Sequence, residues 1–105
     1  MITALIQFKL PKPVTRAQAQ EIFLSTAPKY REIPGLIRKY YLLSLDGGTG
    51  AGVYLWKSRE EAEQLYTAEW KKFIFDKYGS EPTVTYFESP VIVDNLTGEI
   101  IRDEG

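Results

Sequence analysis

Aromatic side chains are the largest group of residues in the sequence that could bind a ligand. Tyr54 and Trp56 are two residues apart, and Tyr66, Trp70 and Phe73 follow at spacings of four and three. Side chains two apart share one face of a strand, and those three or four apart share one face of a helix. If both sets face the gap between a sheet and its helices, they line a flat apolar pocket that suits a planar aromatic ligand. Their packing into a closed core is the alternative, and rings at these spacings adopt it more often.

Histidine and cysteine are both absent from the chain, and this excludes several kinds of chemistry. A zinc site, a haem held by histidine and a Ser-His-Asp triad all need one of these residues. Glu60, Glu61 and Glu63 stand at the start of a predicted helix, where carboxylates stabilise the positive end of the helix dipole. We therefore expect a solvated helix start there, with no metal and no cofactor. Glu88 lies within an apolar strand, where an edge position or an ion pair explains it as well as a catalytic base does.

Charge and hydrophobicity argue against nucleic acid and membrane as partners. Thirteen basic and fourteen acidic residues give a net charge of −1, and neither sign forms a long block. Binding to nucleic acid through a broad basic face is therefore disfavoured. No segment is long and apolar enough to span a membrane, and the first ten residues alternate like a strand and lack the features of a signal peptide. With no cysteine to oxidise, the composition favours a cytoplasmic protein.

A glycine-rich segment, residues 47–52, invites comparison with phosphate-binding loops. Such loops join a strand to a helix, whereas this one joins two predicted strands, so we expect a hairpin. Gly52 falls inside the second of these strands. Glycine at that point permits the close approach of a neighbouring aromatic ring.

Hydrophobic periodicity and punctuation by proline and glycine predict the elements that carry these residues. Thr15 with Gln18, and Ser58 with Glu61, form two potential capping boxes at helix starts. Gly79 ends the second helix, and Thr67 and Ala68 are a point where it could be interrupted. The predicted strands cover residues 2–10, 36–45, 51–57 and 83–93, and the helices run from 16 to about 30 and from 59 to about 78.

The order βαββαβ with short connections predicts an α+β, ferredoxin-like fold, a four-stranded antiparallel sheet with two helices on one face. We assign residues 1–94 to this domain and residues 95–105 to a C-terminal turn and arm. A hairpin loop at residues 46–50 predicts that Tyr40 lies opposite Trp56, on the face of Tyr54. Ile37, Tyr41 and Leu43 then give the other face of the sheet an apolar surface too large for a monomer. We therefore expect a homodimer, with one sheet packed against the other.

Several of these segments resemble a known family, the YdhR-like mono-oxygenases of the dimeric α/β-barrel superfamily, which includes the antibiotic-biosynthesis monooxygenases. The resemblance runs from the first strand to about Asn95 and is most specific in four places: Ile33-Pro34-Gly35-Leu36, Lys39, Gly52-Val53-Tyr54-Leu55-Trp56 and the helix start at residues 58–62. It implies two ferredoxin-like protomers whose sheets close into a barrel, each with a pocket between its own sheet and helices. Several oxygenases of this superfamily need neither metal nor flavin, because a deprotonated phenolic or quinol substrate itself reduces oxygen.

Related haem-degrading members of the superfamily use an amide in the first strand, a tryptophan ending the third strand and a histidine in the next helix. Gln7 and Trp56 match the first two of these positions, but Tyr66 lies where the histidine would be. The resemblance therefore does not imply haem degradation.

Two functions follow from the sequence. The first is a cofactor-independent monooxygenase for a small aromatic or polycyclic substrate. In it, Tyr40, Tyr54 and Trp56 pack the substrate ring, while Gln7, Arg38 or Tyr66 binds its oxygens, and Trp70 and Phe73 complete the pocket. The second is a non-catalytic dimer that binds a small ligand or serves as a stress-related interaction module.

Overall fold

Residues 1–104 are described in a computed structural model, and their elements follow the predicted order. The chain forms β1 (Ile2–Lys9), α1 (Arg16–Thr26), β2 (Leu36–Leu43), β3 (Thr49–Trp56), α2 (Arg59–Leu65), α3 (Ala68–Tyr78), β4 (Thr83–Glu88), β5 (Val91–Asp94) and β6 (Glu99–Arg102), with a 3₁₀ helix (Ala27–Tyr30) directly after α1. None of these described helices is long and apolar enough to cross a membrane.

Strands β1 to β4 form one antiparallel sheet in the order β2-β3-β1-β4, which confirms the ferredoxin-like prediction. Alternate residues of β1 (Ala4, Ile6 and Phe8) are buried on the face that carries the helices, and the core forms between them and buried residues of the 3₁₀ helix, α2 and α3. Ala4 is paired with Tyr54 of β3, and Ile2 with Trp56. The two inner strands therefore place their largest apolar side chains against the helices.

Side-chain caps set the helix boundaries. The Thr15 side chain accepts a hydrogen bond from the Gln18 backbone N–H, and the Gln18 side chain accepts one from the Thr15 backbone, so the predicted capping box is present. Ser58 accepts from the Glu61 N–H at the start of α2, and Thr67 accepts from the Trp70 N–H at the start of α3. The predicted second helix is therefore two helices, divided where Thr67 begins a new N-terminus.

The predicted fourth strand is also divided. Its sheet pairing ends at Glu88, and Ser89 and Pro90 separate β4 from β5, because proline has no N–H to donate to a ladder. Strand β5 pairs with β6 in a separate hairpin whose turn is closed by the Asp94 carboxylate, which accepts from the Leu96 N–H at 2.9 Å. The hairpin lies on both sides of the predicted boundary between residues 94 and 95, and that boundary stays a prediction.

The loop between β2 and β3 begins two residues earlier than predicted. The Asp46 carboxylate accepts hydrogen bonds from the Ser44 hydroxyl at 2.7 Å and the Gly48 N–H at 2.9 Å, and this closes the turn over residues 44–48. Tyr40 consequently pairs with Val53 and not with Trp56. Because side chains alternate along a strand, an odd shift in register moves Tyr40 to the other face of the sheet. The prediction that Tyr40 shares a face with Tyr54 and Trp56 is therefore wrong.

The face of the sheet that carries no helices, which we call the outer face, is mainly apolar. At its centre Leu5 of β1 pairs with Val53 of β3, and Leu55 lies two residues along. Tyr40 is 52% exposed, Leu42 40% and Phe87 53%. Asp94 of the β5–β6 hairpin lies close enough to Arg38 for their charges to interact, so the hairpin lies near one part of this face. Tyr40, Leu42 and Phe87 remain exposed within residues 1–104, and this is the surface that the dimer prediction concerns.

Gly50 offers a test of how closely the helix-bearing face is packed. A Cβ built at Gly50 would lie 2.4 Å from a ring carbon of Phe8, which is itself 7% exposed. We expect Gly50→Ala to lower the free energy of unfolding by about 1–3 kcal/mol, as overpacking does. Denaturant unfolding measures this value. Gly48→Ala is the control, because its Cβ would meet only the exposed Asp46 carboxylate, at 3.3 Å; equal losses in both variants would contradict the packing explanation.

Candidate functional site

The predicted aromatic set is largely brought together, but as a packed core. Tyr54, Trp56, Tyr66 and Trp70 are 2%, 0%, 7% and 5% exposed. The ring of Tyr66 packs edge-on against Tyr54 at 5.4 Å and against Trp56 at 5.8 Å between centroids. Such edge-to-face pairs are a favoured arrangement of buried rings.

Two hydrogen bonds satisfy the polar atoms of this cluster. The Trp56 indole Nε1–H donates to the Tyr66 hydroxyl oxygen at 3.0 Å, and the Trp70 indole Nε1–H donates to the Tyr30 hydroxyl oxygen, also at 3.0 Å. Burial raises the pKa of Tyr66 and of Tyr54 well above the ordinary value for a phenol. Both hydroxyls are therefore neutral at physiological pH and act as hydrogen-bonding groups, not as bases.

Little space remains between the central part of the sheet and the helices. The cavity there, which we call the inner cavity, has a volume of about 20 Å³ and is lined by residues that include Tyr54, Trp70 and the half-buried Phe73. A volume of this size holds about one water molecule. The alternative prediction, a closed core, is therefore confirmed for Tyr54, Trp56, Tyr66 and Trp70.

The polar residues predicted for that pocket lie elsewhere. Gln7 pairs with Ala51 and is exposed on the outer face, because its neighbours Ile6 and Phe8 take the inward positions of β1. Tyr40 is on the outer face as well, where its hydroxyl accepts a hydrogen bond from Arg38 at 3.2 Å. Neither Gln7 nor Tyr40 reaches the space between sheet and helices, which corrects the prediction for both.

An open groove lies instead at the edge of the sheet, between α1 and β2, and we call it the α1–β2 groove. Its volume is about 650 Å³, within the range of small-molecule sites. The rings of Phe23 and Tyr41 are stacked at 4.9 Å in its wall, and the Tyr41 hydroxyl is hydrogen-bonded to Thr26 at 2.8 Å. Leu24, 58% exposed, and Leu45, fully exposed, add apolar surface at its mouth.

The polar side chains of this groove come from α1 with its cap and from the loop after β2. Arg16 and Gln20 of α1 line it, as do Ser44 and Asp46 of the loop after β2. Hydrogen bonds from the Gly48 N–H and the Ser44 hydroxyl lower the pKa of Asp46, which is therefore ionised at neutral pH. An apolar wall with a few polar groups is the usual composition of a site for a small organic ligand.

A second opening, which we call the outer cavity, adjoins the groove beyond Tyr41. It measures about 340 Å³ and lies between the 3₁₀ helix and β2, and Ala27 and Tyr41 line both it and the groove. Its lining includes three basic residues, Arg31, Arg38 and Lys39, and one acidic residue, Glu32. Arg38, a predicted site residue, therefore lines a cavity at the edge of the sheet and not the one predicted in its centre.

The groove residues Phe23, Leu24, Tyr41, Leu43 and Leu45 were not predicted as site residues. Phe23 belongs to the apolar stripe of the first helix and is predicted as a core position, whereas Tyr41 and Leu43 are predicted on the sheet face that a second copy covers. The shift in register that moves Tyr40 to the outer face turns Tyr41 and Leu43 toward α1, so that prediction is wrong for both. Leu24 carried the available signal, because it is a large apolar residue outside that stripe. What the pattern could not show is that β2 is an edge strand whose inward residues are only partly covered.

Among the described residues 1–104, no group of three or more acidic side chains is placed to hold a metal ion. The candidate site therefore consists of aromatic and aliphatic surface, hydroxyls, cationic side chains and the separate carboxylates of Glu32 and Asp46.

Removing the Tyr66 hydroxyl tests whether the indole hydrogen bond stabilises the core. Tyr66→Phe leaves the buried Trp56 N–H without its acceptor, so we expect the free energy of unfolding to fall by about 1–3 kcal/mol. Tyr40→Phe removes an exposed hydroxyl and should change it by less than about 0.5 kcal/mol. Chemical denaturation of both variants provides the comparison, and a neutral Tyr66→Phe would contradict the assigned role of this bond.

Comparison with known proteins gives similarity in structure only. No model of a known protein family matches the sequence, and no curated protein matches it significantly. Among solved structures, the chain is similar to a monooxygenase from the ActVA-Orf6 gene of Streptomyces coelicolor in complex with nanaomycin D. The two sequences are 19% identical, the TM-score is 0.65, and the match covers 84% of this chain and 86% of that one. It is similar also to SnoaB, a cofactor-independent oxygenase from Streptomyces nogalater (16% identity, TM-score 0.61, coverage 84% and 91%). A further similar structure is an antibiotic biosynthesis monooxygenase (15% identity, TM-score 0.62, coverage 85% and 98%). The chain therefore has the ferredoxin-like α+β fold found in the antibiotic biosynthesis monooxygenases.

Proposed function

We propose that this protein is a cofactor-independent monooxygenase that binds a planar phenolic or quinol substrate in the α1–β2 groove. The observation that carries the proposal is the groove itself, an open apolar cavity of about 650 Å³ with two stacked rings in its wall. A flat substrate packs against the exposed edge of this aromatic wall and against Leu43 and Leu24. Its hydroxyl groups reach the polar side chains of the groove.

The comparisons support this reaction class without assigning it. One similar structure is named a cofactor-independent oxygenase, and another holds nanaomycin D. In such a reaction the substrate supplies all four electrons that reduce O₂. In an anthrone, the keto form of a phenol, the ring methylene carbon becomes a carbonyl, one oxygen atom enters the product and the other leaves as water. The protein's part is to bind the substrate, to stabilise its anion and to exclude bulk water.

The predicted pocket residues have a supporting role in this proposal. A packed aromatic layer lies between the sheet and the helices and consists of Tyr54, Trp56, Tyr66 and Trp70. Tyr30 connects it to the groove, because its ring packs edge-on against both Tyr54 and Tyr41. A packed layer of this kind holds the groove wall in one position. Phe73 lies at the edge of this layer and is half-buried, whereas Arg38 is exposed and donates to the Tyr40 hydroxyl on the outer face.

We also propose that the protein is a homodimer in which two outer faces pack together. The outer face combines the half-buried Leu5, Val53 and Leu55 with the exposed Leu42 and Phe87. A twofold axis makes such a surface complementary to itself, and sheet-on-sheet packing buries it from water. Membership of the YdhR-like branch and a cytoplasmic location, both predicted from the sequence, stay predictions.

A bulky side chain in the groove tests the proposed function. Gln20 lies on the exposed surface of α1 and lines the groove, so Gln20→Trp should fill it without disturbing the core. We expect oxygen uptake with hydroquinones, naphthohydroquinones or anthrones to fall at least about tenfold, equivalent to about 1.4 kcal/mol of binding or transition-state stabilisation. An oxygen electrode measures the uptake.

Glu21→Trp is the matched control, because Glu21 is exposed on the same helix but does not line the groove. Turnover that survives in Gln20→Trp would place the site elsewhere. A compound that raises the melting temperature of the wild type without being consumed would favour the second candidate, a non-catalytic ligand-binding dimer or a stress-related interaction module.

A charge on the outer face tests the dimer. Val53 lies at the centre of that face, and Val53→Lys puts a charge where two copies would meet. We expect light scattering coupled to gel filtration to give twice the chain mass for the wild type and a single chain mass for Val53→Lys. Lys71→Glu, an exposed change on α3, should remain dimeric. A monomeric wild type at micromolar concentration would contradict the proposal.

A further inference from the structure

Lys39 is a cationic residue in an aromatic setting, on the inward face of β2. Its Nζ lies 3.6 Å from the ring centroid of Tyr30, 3.4 Å from that of Tyr41 and 4.7 Å from that of Tyr54. Gly52 provides the space for this arrangement. A Cβ at that position would lie 3.6 Å from Lys39 Cε and 2.8 Å from a ring carbon of Tyr54. The fold thus encloses one amine between tyrosine rings at the sheet edge.

Among residues 1–104 the amine has no acidic partner. The ion pairs of the described residues involve other side chains, and no hydrogen bond to Lys39 Nζ is found within residues 1–104. The titratable groups that face it are Lys29 and Tyr30 of the 3₁₀ helix, Tyr41 of its own strand, Tyr54 of β3 and Tyr78 of α3. Burial, with a smaller contribution from the charge of Lys29, lowers the pKa of Lys39 to about 7.

Lys39 stands between two cavities. Lys39, Tyr30 and Tyr41 line both the inner cavity and the outer cavity, so they form the wall between the two. A ring that enters the outer cavity therefore meets this amine at the wall. Arg31, Arg38 and Glu32 line the same cavity, and the Arg38 guanidinium donates to the Tyr40 hydroxyl on the outer face.

We propose that a phenolic substrate in the α1–β2 groove extends a hydroxyl group past Tyr41 into the adjoining outer cavity, and that Lys39 accepts the proton of this hydroxyl group. This inference rests on the proposed function, since it takes phenols as the substrate class. In the step, the phenolic O–H bond breaks and an N–H bond forms at Nζ, which leaves a phenolate beside an ammonium group, and no electron is transferred. Phenolate formation is the step that an electron-rich substrate needs before it can reduce oxygen. A base is most effective when its pKa lies near the working pH, and an amine that is half-protonated near neutrality meets that condition.

The first test follows the lysine amines of the unmodified protein. NMR titration of the ¹³Cε resonances reports the protonation of each lysine, and Lys39→Met identifies the resonance of Lys39. We expect a midpoint near 7 for Lys39, against about 10.4 for ordinary lysines. Lys29→Met should move that midpoint upward, because it removes the nearby positive charge. A Lys39 that titrates with the other lysines would overturn the inference.

The second test uses 4-nitrophenol, whose neutral and ionised forms absorb at different wavelengths. Slightly below the pKa of the probe, most of the free compound is neutral, and we expect the bound compound to show the phenolate absorbance. Lys39→Met should lose this shift, whereas Lys71→Met, an exposed lysine on α3, should keep it.

The outcomes separate this inference from the proposed function. A probe that binds as the neutral phenol would overturn the role of Lys39 and leave phenol binding intact. An ionised bound probe without any oxygen uptake on quinols would support Lys39 as the proton acceptor and count against the oxygenase. A wild type that does not bind the probe would contradict both.

Discussion

The fold depends on the hydrogen bonds and ring contacts that bury the tyrosines and tryptophans of the helix-bearing face. Each buried indole N–H of the core, in Trp56 and Trp70, donates to a phenolic oxygen, and the rings fill the space around these two bonds. A buried donor without a partner is costly, so the pairing fixes the relative positions of β3, the 3₁₀ helix, α2 and α3. The centre of the domain is consequently a packed solid with space for about one water molecule.

Two surfaces follow from this arrangement. Because α2 and α3 are held over the inner strands, the edge strand β2 is covered only by α1 and the 3₁₀ helix, which leaves the α1–β2 groove and the outer cavity beside Tyr41. Because all helices of the described residues are on one side, the outer face keeps exposed apolar side chains, among them Leu42 and Phe87. The first surface suits a flat ligand and the second a copy of the chain, and both arise from the same distribution of aromatic residues.

The order of elements, the helix caps and the antiparallel sheet were predictable from the sequence, since they depend on local signals such as Thr15 with Gln18 and the glycine of residue 79. The register of Tyr40 was not predictable, because the Asp46 turn closes two residues early and an odd shift in register moves the Tyr40 side chain to the other face of the sheet.

The position of the site was not predictable either. Aromatic spacing shows that Tyr66 and Trp70 face inward, but it cannot show that they fill the volume, or that Lys39, in an apolar strand, turns its amine toward the rings.

The central claim is that a substrate binds at the edge of the sheet and not in its centre. NMR shift mapping of the ring and methyl resonances during an anaerobic titration with a naphthohydroquinone tests it most directly. The account predicts progressive shifts for Phe23, Leu24, Tyr41 and Leu43, with Trp56 and Tyr66 unchanged. Shifts concentrated at Trp56 and Tyr66, with the groove residues silent, would contradict it.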